Sequence, residues 1–371
     1  MCWKGWTEYG TAERQGTKAE PEIKVLCMKM RMGWKGLAGG VALALLLMPG
    51  MAAAGQHAKR AAGLESGQAK AESGAKPELV VIDTDIGDDI DDAFAVALAL
   101  KSPELKILGI TTTFGDTDLR ARLLNRYLHT AGYYGIPMAA GPETKTDNPM
   151  TQKDYARGWA GRPRTDGVEQ LLRAIRRHPG QVTLIAIGPL STVQAALSKD
   201  PATFRKLRRV VMMGGSIYRG YGEVNGKPKP AEPEWNIDRD PAGMRALLAS
   251  GVKVYMMPLD STQIPLHERY RERIFTRGGA LGRQLAELYR EWVAGTPTHS
   301  PTPTLFDPVA VTYAMHPELC PARPMRISVD ERGQTTPEAG RPDVDVCLKS
   351  DEAGFLRLLM GRLTGKVKAK K

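Results

Sequence analysis

Between residues 79 and 363, short unbroken runs of Val, Ile and Leu alternate with stretches of helical periodicity, a pattern few folds accept. The runs at 79–82, 105–113, 182–187, 210–213 and 252–257 show little of the two-residue alternation of a half-exposed strand, so both faces must be covered. Helical stretches lie at 93–100, 193–197 and 240–249, and Leu119, Leu123, Leu124 and Leu128 recur at helical spacing. Strands buried on both faces and separated by amphipathic helices form a mainly parallel, Rossmann-like sheet flanked by helices, an α/β fold. Segments 325–329 and 344–348 are expected as an outlying hairpin before a last helix over 352–363. No repeat or linker interrupts residues 79–365, which read as one domain.

Composition removes several classes. A chain of 371 residues with 42% hydrophobic and 25% charged residues has the means to bury a core, and is neither collagen-like, coiled-coil nor wholly disordered. Four Cys without a C-x-x-C pair make neither a zinc ribbon nor a disulfide-stapled miniprotein. The net charge of +11 favours anionic surfaces in general. With 6% aromatic residues and no Arg/aromatic interleaving, nucleic acid is not an expected partner.

The first 54 residues read as export machinery. Lys29, Arg31 and Lys35 precede an apolar run at 37–48, and Ala52, Ala53 and Ala54 provide a cleavage site for a bacterial-type signal peptide. The run is shorter than the roughly 20 residues of a membrane span, so no stable insertion is expected after cleavage; an uncleaved anchor is the alternative. Residues 1–27 do not resemble what precedes a signal, which places the natural start at Met28, Met30 or Met32. Residues 55–78 are a flexible leader, and the Lys-rich residues 366–371 a tail. In a periplasmic or secreted chain Cys320 and Cys347 are the two Cys that remain, and an oxidising compartment permits them to pair.

Ligands of open parallel sheets bind at the carboxyl ends of the strands. Here those ends carry residues 83–92, 113–116, 188–189 and 214–216, and Asp260. Asp83, Asp85, Asp88, Asp89, Asp91 and Asp92 crowd one strand-to-helix turn. A helix N-terminus favours each carboxylate by only about 0.3–1 kcal/mol, too little to hold several together. Such crowding raises carboxyl pKa values or recruits a cation, and hard oxygen donors without His or Cys select Ca²⁺ or Mg²⁺. Gly87 lets the turn close tightly enough for acids on both sides to converge. A solvated acidic helix cap is the plainer alternative, and the spacing is not that of an EF-hand.

The series Asp83-Thr84-Asp85-Ile86-Gly87 with Asp91-Asp92-Ala93 resembles the signature of the inosine–uridine-preferring nucleoside hydrolases. Similarity continues through Thr112-Thr113-Phe114-Gly115-Asp116, residues 187–191, Met213-Gly214-Gly215, Glu234-Trp235-Asn236, Pro258-Leu259-Asp260 and Phe306-Asp307-Pro308. The resemblance implies the fold of that family, a Ca²⁺ ion under a ribose pocket, and hydrolysis of ribonucleosides to ribose and free base. By motif position Asp85 would bind the ion and take a proton from its water, with Asp92, Asp307 and the carbonyl of Ile187 as further ligands. Asp91 would accept a ribose hydroxyl; Glu234, Asn236, Asn225 and Asp116 would contact other hydroxyls; Met213 would pack beneath the sugar. Trp235 is expected to pack beside the sugar pocket, a plain core aromatic being the alternative. An oxocarbenium-like sugar explains the need for negative charge, and a pocket built to grip hydroxyls should reject 2′-deoxyribosides.

Three departures from the family pattern stand out. Two additional residues separate Gly87 from Asp91, so Asp88 and Asp89 compete with Asp91 and Asp92 for the same roles. Asp116 occupies a position usually held by Asn. Phe306 stands where inosine-cleaving members often carry a His that assists departure of the base, and Phe has no proton to give. His299, Arg157, Tyr218, Tyr221 and Trp159 are candidates for that task, and segments 144–164 and 220–233 are candidate lids. Two other functions compete: a periplasmic nucleoside- or sugar-binding protein of the same fold, and a haloacid-dehalogenase-like phosphatase using Asp83 and Asp85. Base preference and homo-oligomerisation are not encoded legibly.

Overall fold

A computed structural model describes residues 76–365, apart from 162, 165 and 297–299. The signal segment, most of the leader, His299 and the Lys-rich tail lie outside the described residues.

The first half of the domain runs β1 (Glu78–Thr84), α1 (Asp91–Leu100), β2 (Leu105–Thr112), α2 (Thr117–Thr130), β3 (Met138–Ala140), a 3₁₀ turn (Lys153–Ala156), α3 (Gly167–Arg177), β4 (Val182–Ile187), α4 (Ser191–Lys199), α5 (Pro201–Phe204) and β5 (Arg209–Met213). A two-stranded ribbon follows, β6 (Glu223–Val224) and β7 (Lys227–Pro228), then α6 (Trp235–Asp238), α7 (Pro241–Ala249), β8 (Val254–Met257), α8 (Leu259–Thr262), α9 (Glu268–Arg277) and α10 (Gly279–Gly295). The chain ends with α11 (Asp307–Met315), β9 (Ala322–Val329), β10 (Thr335–Glu338), β11 (Val344–Cys347) and α12 (Glu352–Thr364).

Nine strands form one sheet in the order β10-β9-β11-β8-β5-β4-β1-β2-β3, parallel from β11 to β3. The α/β, mainly parallel sheet flanked by helices is thus as the apolar runs require. The expected outlying hairpin at 325–329 and 344–348 is corrected in its setting. β11 pairs antiparallel with β9 but also parallel with β8, so it extends the central sheet, and β10 adds an edge strand that polarity concealed.

Alternation along β1 divides the core in two. Val80 and Ile82 face a cluster built on α1, α2, α10, α11 and α12, whereas Val81 faces one built on α3, α4 and α7. Helix α1 is buried from Asp91 to Ala99, which explains why its sequence is Ala- and Leu-rich with no polar stripe. Cys320 and Cys347 form a disulfide that ties the segment before β9 to the end of β11.

β1 has β2 on one side and β4 on the other, so the chain reverses its winding direction at β1. Thr84 lies opposite both Thr112 and Ile187, leaving the three strands ending level. A crevice opens at such a switch point, and the acidic turn falls there.

Candidate active site

Three elements deliver the acids. Asp83 and Asp85 sit at the end of β1, Asp91 and Asp92 in the first turn of α1, and Asp307 is the first residue of α11. Helices α1 and α11 pack together, bringing two helix N-termini to one place. Ligand oxygens of Asp91, Asp92 and Asp307 lie within 4.8 Å of one another, all three residues being buried. The Asp307 amide donates to Asp91 Oδ2 at 3.0 Å, and the Thr84 hydroxyl donates to Asp92 Oδ1.

Burial without sufficient counter-charge governs their protonation. Asp85 is pushed up to about 7 by burial, against the pull of Arg120; Asp88 adds to the rise and the Trp235 indole N–H, donating to Asp85, opposes it. Asp91, Asp92 and Asp307 are raised well above the usual carboxylate range, by burial first and then by each other and neighbouring acids. Asp83 also reaches about 7 by burial, though Thr111 Oγ1 donates to its Oδ1 at 2.5 Å. A buried set of three convergent carboxylates with no His or Cys fits a hard divalent cation.

Asp88 and Asp89 are turned to other work. Asp88 Oδ2 accepts from Arg120 Nη2 at 2.8 Å and from Asn148 Nδ2 at 3.1 Å. Asp89 Oδ1 accepts from the Ile90 amide at 2.6 Å, closing the turn. The structure therefore brings the carboxylates of Asp91 and Asp92 together with that of Asp307, while Asp88 is paired elsewhere and the charge of Asp89 acts on both Asp91 and Asp307. Gly188, next to Ile187, has no room for a side chain: a Cβ there would fall 2.8 Å from Asp85 Oδ1 and 2.9 Å from its amide.

Met213 at the end of β5, together with Glu234 and Asn236, forms the opposite wall. Glu234 is the N-cap of α6, its carboxylate accepting from the amides of Asn236, Gly215 and Ile237 at 2.9, 2.9 and 3.3 Å. Burial still holds it at about 7. Asn236 Nδ2 donates to the Met213 carbonyl at 3.2 Å, fixing the amide beside the sulfur.

Aromatic rings line the rim. Trp235 packs edge-to-face on Phe114, with centroids 5.9 Å apart, and Arg239 stacks on its outer face at 4.2 Å. Phe306 meets Tyr221 edge-to-face at 6.0 Å, and the Tyr221 hydroxyl accepts from the Trp235 amide at 2.9 Å. Of the residues considered as substitutes for a base-activating His, Tyr221 touches Phe306. Arg157 pairs with Asp154 on the surface, Trp159 donates to Asn125 of α2, and Tyr218 is exposed.

Two expected sugar contacts are placed elsewhere. Asn225 occupies the exposed tip of the β6–β7 ribbon at φ 52°, followed by Gly226 at 71°, the Asn-Gly pair of a tight hairpin turn. Asp116 is exposed and caps α2 by accepting from the Leu119 amide at 2.8 Å. Asp260, another strand-end acid, anchors the loop after β5 through the amides of Ile217 and Tyr218. The candidate lid at 144–164 is strapped down at several points: Gln152, fully buried, donates its amide to Gly87 at 2.9 Å, and Tyr155 donates its amide to Glu291 of α10 at 2.7 Å.

Sequence reading missed Arg120, which reaches into the floor of the acidic turn. A signal existed: on α2 it lies one turn before Leu124 and two before Tyr127, both fully buried, so its position is on the apolar stripe.

A buried acid cluster at the switch point of a doubly wound sheet, walled by amide and aromatic groups, has the makings of an active site that holds a cation and a polar ligand. Comparison with known proteins makes this specific. The family described as inosine-uridine preferring nucleoside hydrolase matches residues 80–357, and the chain belongs to it. A pyrimidine-specific ribonucleoside hydrolase of Citrobacter koseri is 30% identical over 319 residues, covering 76% of this chain and 97% of that protein. A uridine nucleosidase of Arabidopsis thaliana is 27% identical, covering 70% and 80%. Among solved structures, a plant nucleoside hydrolase superposes with a TM-score of 0.66 at 24% identity, covering 78% of this chain and 100% of that one. A purine-preferring ribonucleoside hydrolase from Gardnerella vaginalis gives the same TM-score and identity, covering 78% and 98%. The protein is accordingly an N-glycosyl hydrolase of ribonucleosides.

Proposed function

We propose that the chain is an exported, Ca²⁺-dependent enzyme that splits a ribonucleoside into ribose and free base. The observation that carries this is the convergence of Asp91, Asp92 and Asp307 beside Asp85 in a pocket too poor in positive charge to hold four ionised acids. Asp85, Asp92, Asp307 and the Ile187 carbonyl would hold the cation. When bound, it lowers the pKa of water and aligns the vicinal hydroxyls of the sugar.

The residues of the chain do the rest. Asp85, beside the Trp235 indole, accepts the proton of the attacking water. Asp91 accepts a ribose hydroxyl, while Glu234 and the Asn236 amide, positioned through α6, recognise the other side of the sugar. The carboxylates stabilise the positive charge that develops on the ring as the bond to the base breaks. Met213 and Trp235 exclude water beside the sugar. Phe306 cannot protonate the base, so rate at this site depends on sugar activation more than on an acid at that position. Export is supported by the signal-like segment before residue 55 and by the Cys320–Cys347 disulfide, which an oxidising compartment would maintain.

A reducing-sugar assay on purine and pyrimidine ribosides tests the reading. Ribose release is expected to stop with a chelator and to return with Ca²⁺. Turnover that survives chelation refutes the metal-assisted mechanism.

A further inference from the structure

Arg120 is 2% exposed, and its guanidinium faces backbone on three sides. Nε donates to the Phe114 carbonyl at 2.7 Å; Nη1 donates to the Asp85 carbonyl and, at 3.2 Å, to that of Ile86; Nη2 pairs with Asp88 Oδ2 at 2.8 Å. The planar fork thus joins two loops. One is the acidic turn between β1 and α1, which is two residues longer than the compact form of the signature. The other is the turn after β2, where Phe114 sits at φ 63°, a conformation that non-glycine residues rarely adopt unless held.

The acidic turn is gripped from its outer side as well. Thr151 Oγ1 donates to the Asp88 carbonyl at 2.5 Å, and Gln152 Nε2 to the Asp89 carbonyl at 3.0 Å. Arg120 supplies the inner grip, and its charge faces Asp88, Asp85 and Asp92. We infer that Arg120 is a positioning residue: by holding the Asp85 and Ile86 carbonyls and the Asp88 carboxylate, it fixes the lengthened turn so that Asp85 meets Asp91, Asp92 and Asp307 around a cation. This rests on the metal-assisted reading above. It also gives the inserted Asp88 a task, as the anion that lets a buried guanidinium stand there without an unpaired charge.

The test is a calorimetric titration of chelator-stripped full-length protein with Ca²⁺, alongside kcat and KM, for the wild type and Arg120→Lys. Lys keeps the charge but cannot serve four acceptors in one plane. Arg120→Lys is expected to weaken Ca²⁺ binding by about 10–100-fold, as losses of groups that orient metal ligands do. The control is Arg209→Lys, which alters an ion pair at the other end of the sheet and should leave Ca²⁺ affinity unchanged, separating positioning from general loosening. If Arg120→Lys does not fold, Asp88→Ala, which removes the ion pair and spares the carbonyl bonds, should weaken Ca²⁺ binding by about tenfold. A folded Arg120→Lys, or in its place a folded Asp88→Ala, with wild-type Ca²⁺ affinity and kcat overturns the inference. A wild-type chain that takes up no Ca²⁺ overturns instead the metal reading on which the inference stands.

Discussion

The two ends of the central sheet treat buried charge in opposite ways. At the amino ends of the strands, Glu78 of β1 meets Arg209 of β5, with Nη2 at 2.8 and 2.9 Å from the two carboxylate oxygens. Thr183 also donates to Glu78, and the guanidinium lies 5.6 and 6.0 Å from the rings of Tyr255 and Tyr313. One anion and one cation face each other with hydrogen bonds on both. At the carboxyl ends, Asp83, Asp85, Asp91, Asp92, Asp307 and Glu234 are all buried, with Arg120 as the cation reaching into their turn. A fold that can pair charge so completely at one end and leaves it so crowded at the other has kept the second end for a ligand.

Substitutions at the two ends should therefore diverge. The largest effect is expected from Asp85→Ala, which removes the proposed proton acceptor and should lower kcat in the ribose-release assay by about 10³-fold while the melting temperature of the metal-free protein does not fall. A metal-free melting temperature that falls with activity would instead make Asp85 a structural acid.

Next comes the response of the metal-free protein to pH. Asp83, Asp85 and Glu234 rise from ordinary values of 3.8, 3.8 and 4.5 to about 7 on folding, so the folded state binds more protons than the unfolded one between those limits. The stability they contribute is whole below about pH 4 and is lost as pH climbs through 7. Thermal unfolding in chelator should show a melting temperature lower at pH 8 than at pH 5, and Ca²⁺ should reverse most of the loss. A metal-free protein equally stable at both values would contradict this assignment.

Neutralising one acid at each end gives a smaller and cleaner contrast. Asp92→Asn should stabilise the metal-free protein at pH 8 by about 1–2 kcal/mol, because it deletes like-charge repulsion and keeps an oxygen for Thr84. Glu78→Gln should destabilise it by about 1–3 kcal/mol and leave kcat untouched, because it leaves Arg209 short of its partner. Denaturant midpoints measure both, and the same sign for the two variants would erase the distinction between the ends. A last contrast concerns neither end. Cys320→Ser should cost about 2–4 kcal/mol at a loop of 27 residues, with no change in KM.

What the sequence made readable follows the same physics. β4 is buried along its whole length and β1 and β5 along most of theirs, so their apolar runs are unbroken and visible, as are the acids placed directly after β1. Asp307 came into view only through resemblance, because 214 residues lie between Asp92 and it and no local pattern links them. The pairing of Asp88 with Arg120 escaped for the same reason, since an inserted acid reads alike whether it faces a metal or a guanidinium. β10 is short and polar, and an edge strand has no reason to look otherwise. Asn225 illustrates the opposite difficulty: an Asn before Gly reads equally as sugar contact and as hairpin turn, and the structure places it at the turn of the ribbon.

Gly188 carries a lasting consequence. Even a methyl group at that position would fall 2.8 Å from the Asp85 carboxylate oxygen proposed to take the proton. A library randomised at this one codon and screened for turnover should return glycine alone, leaving evolution no intermediate step by which to remodel the wall nearest the chemistry.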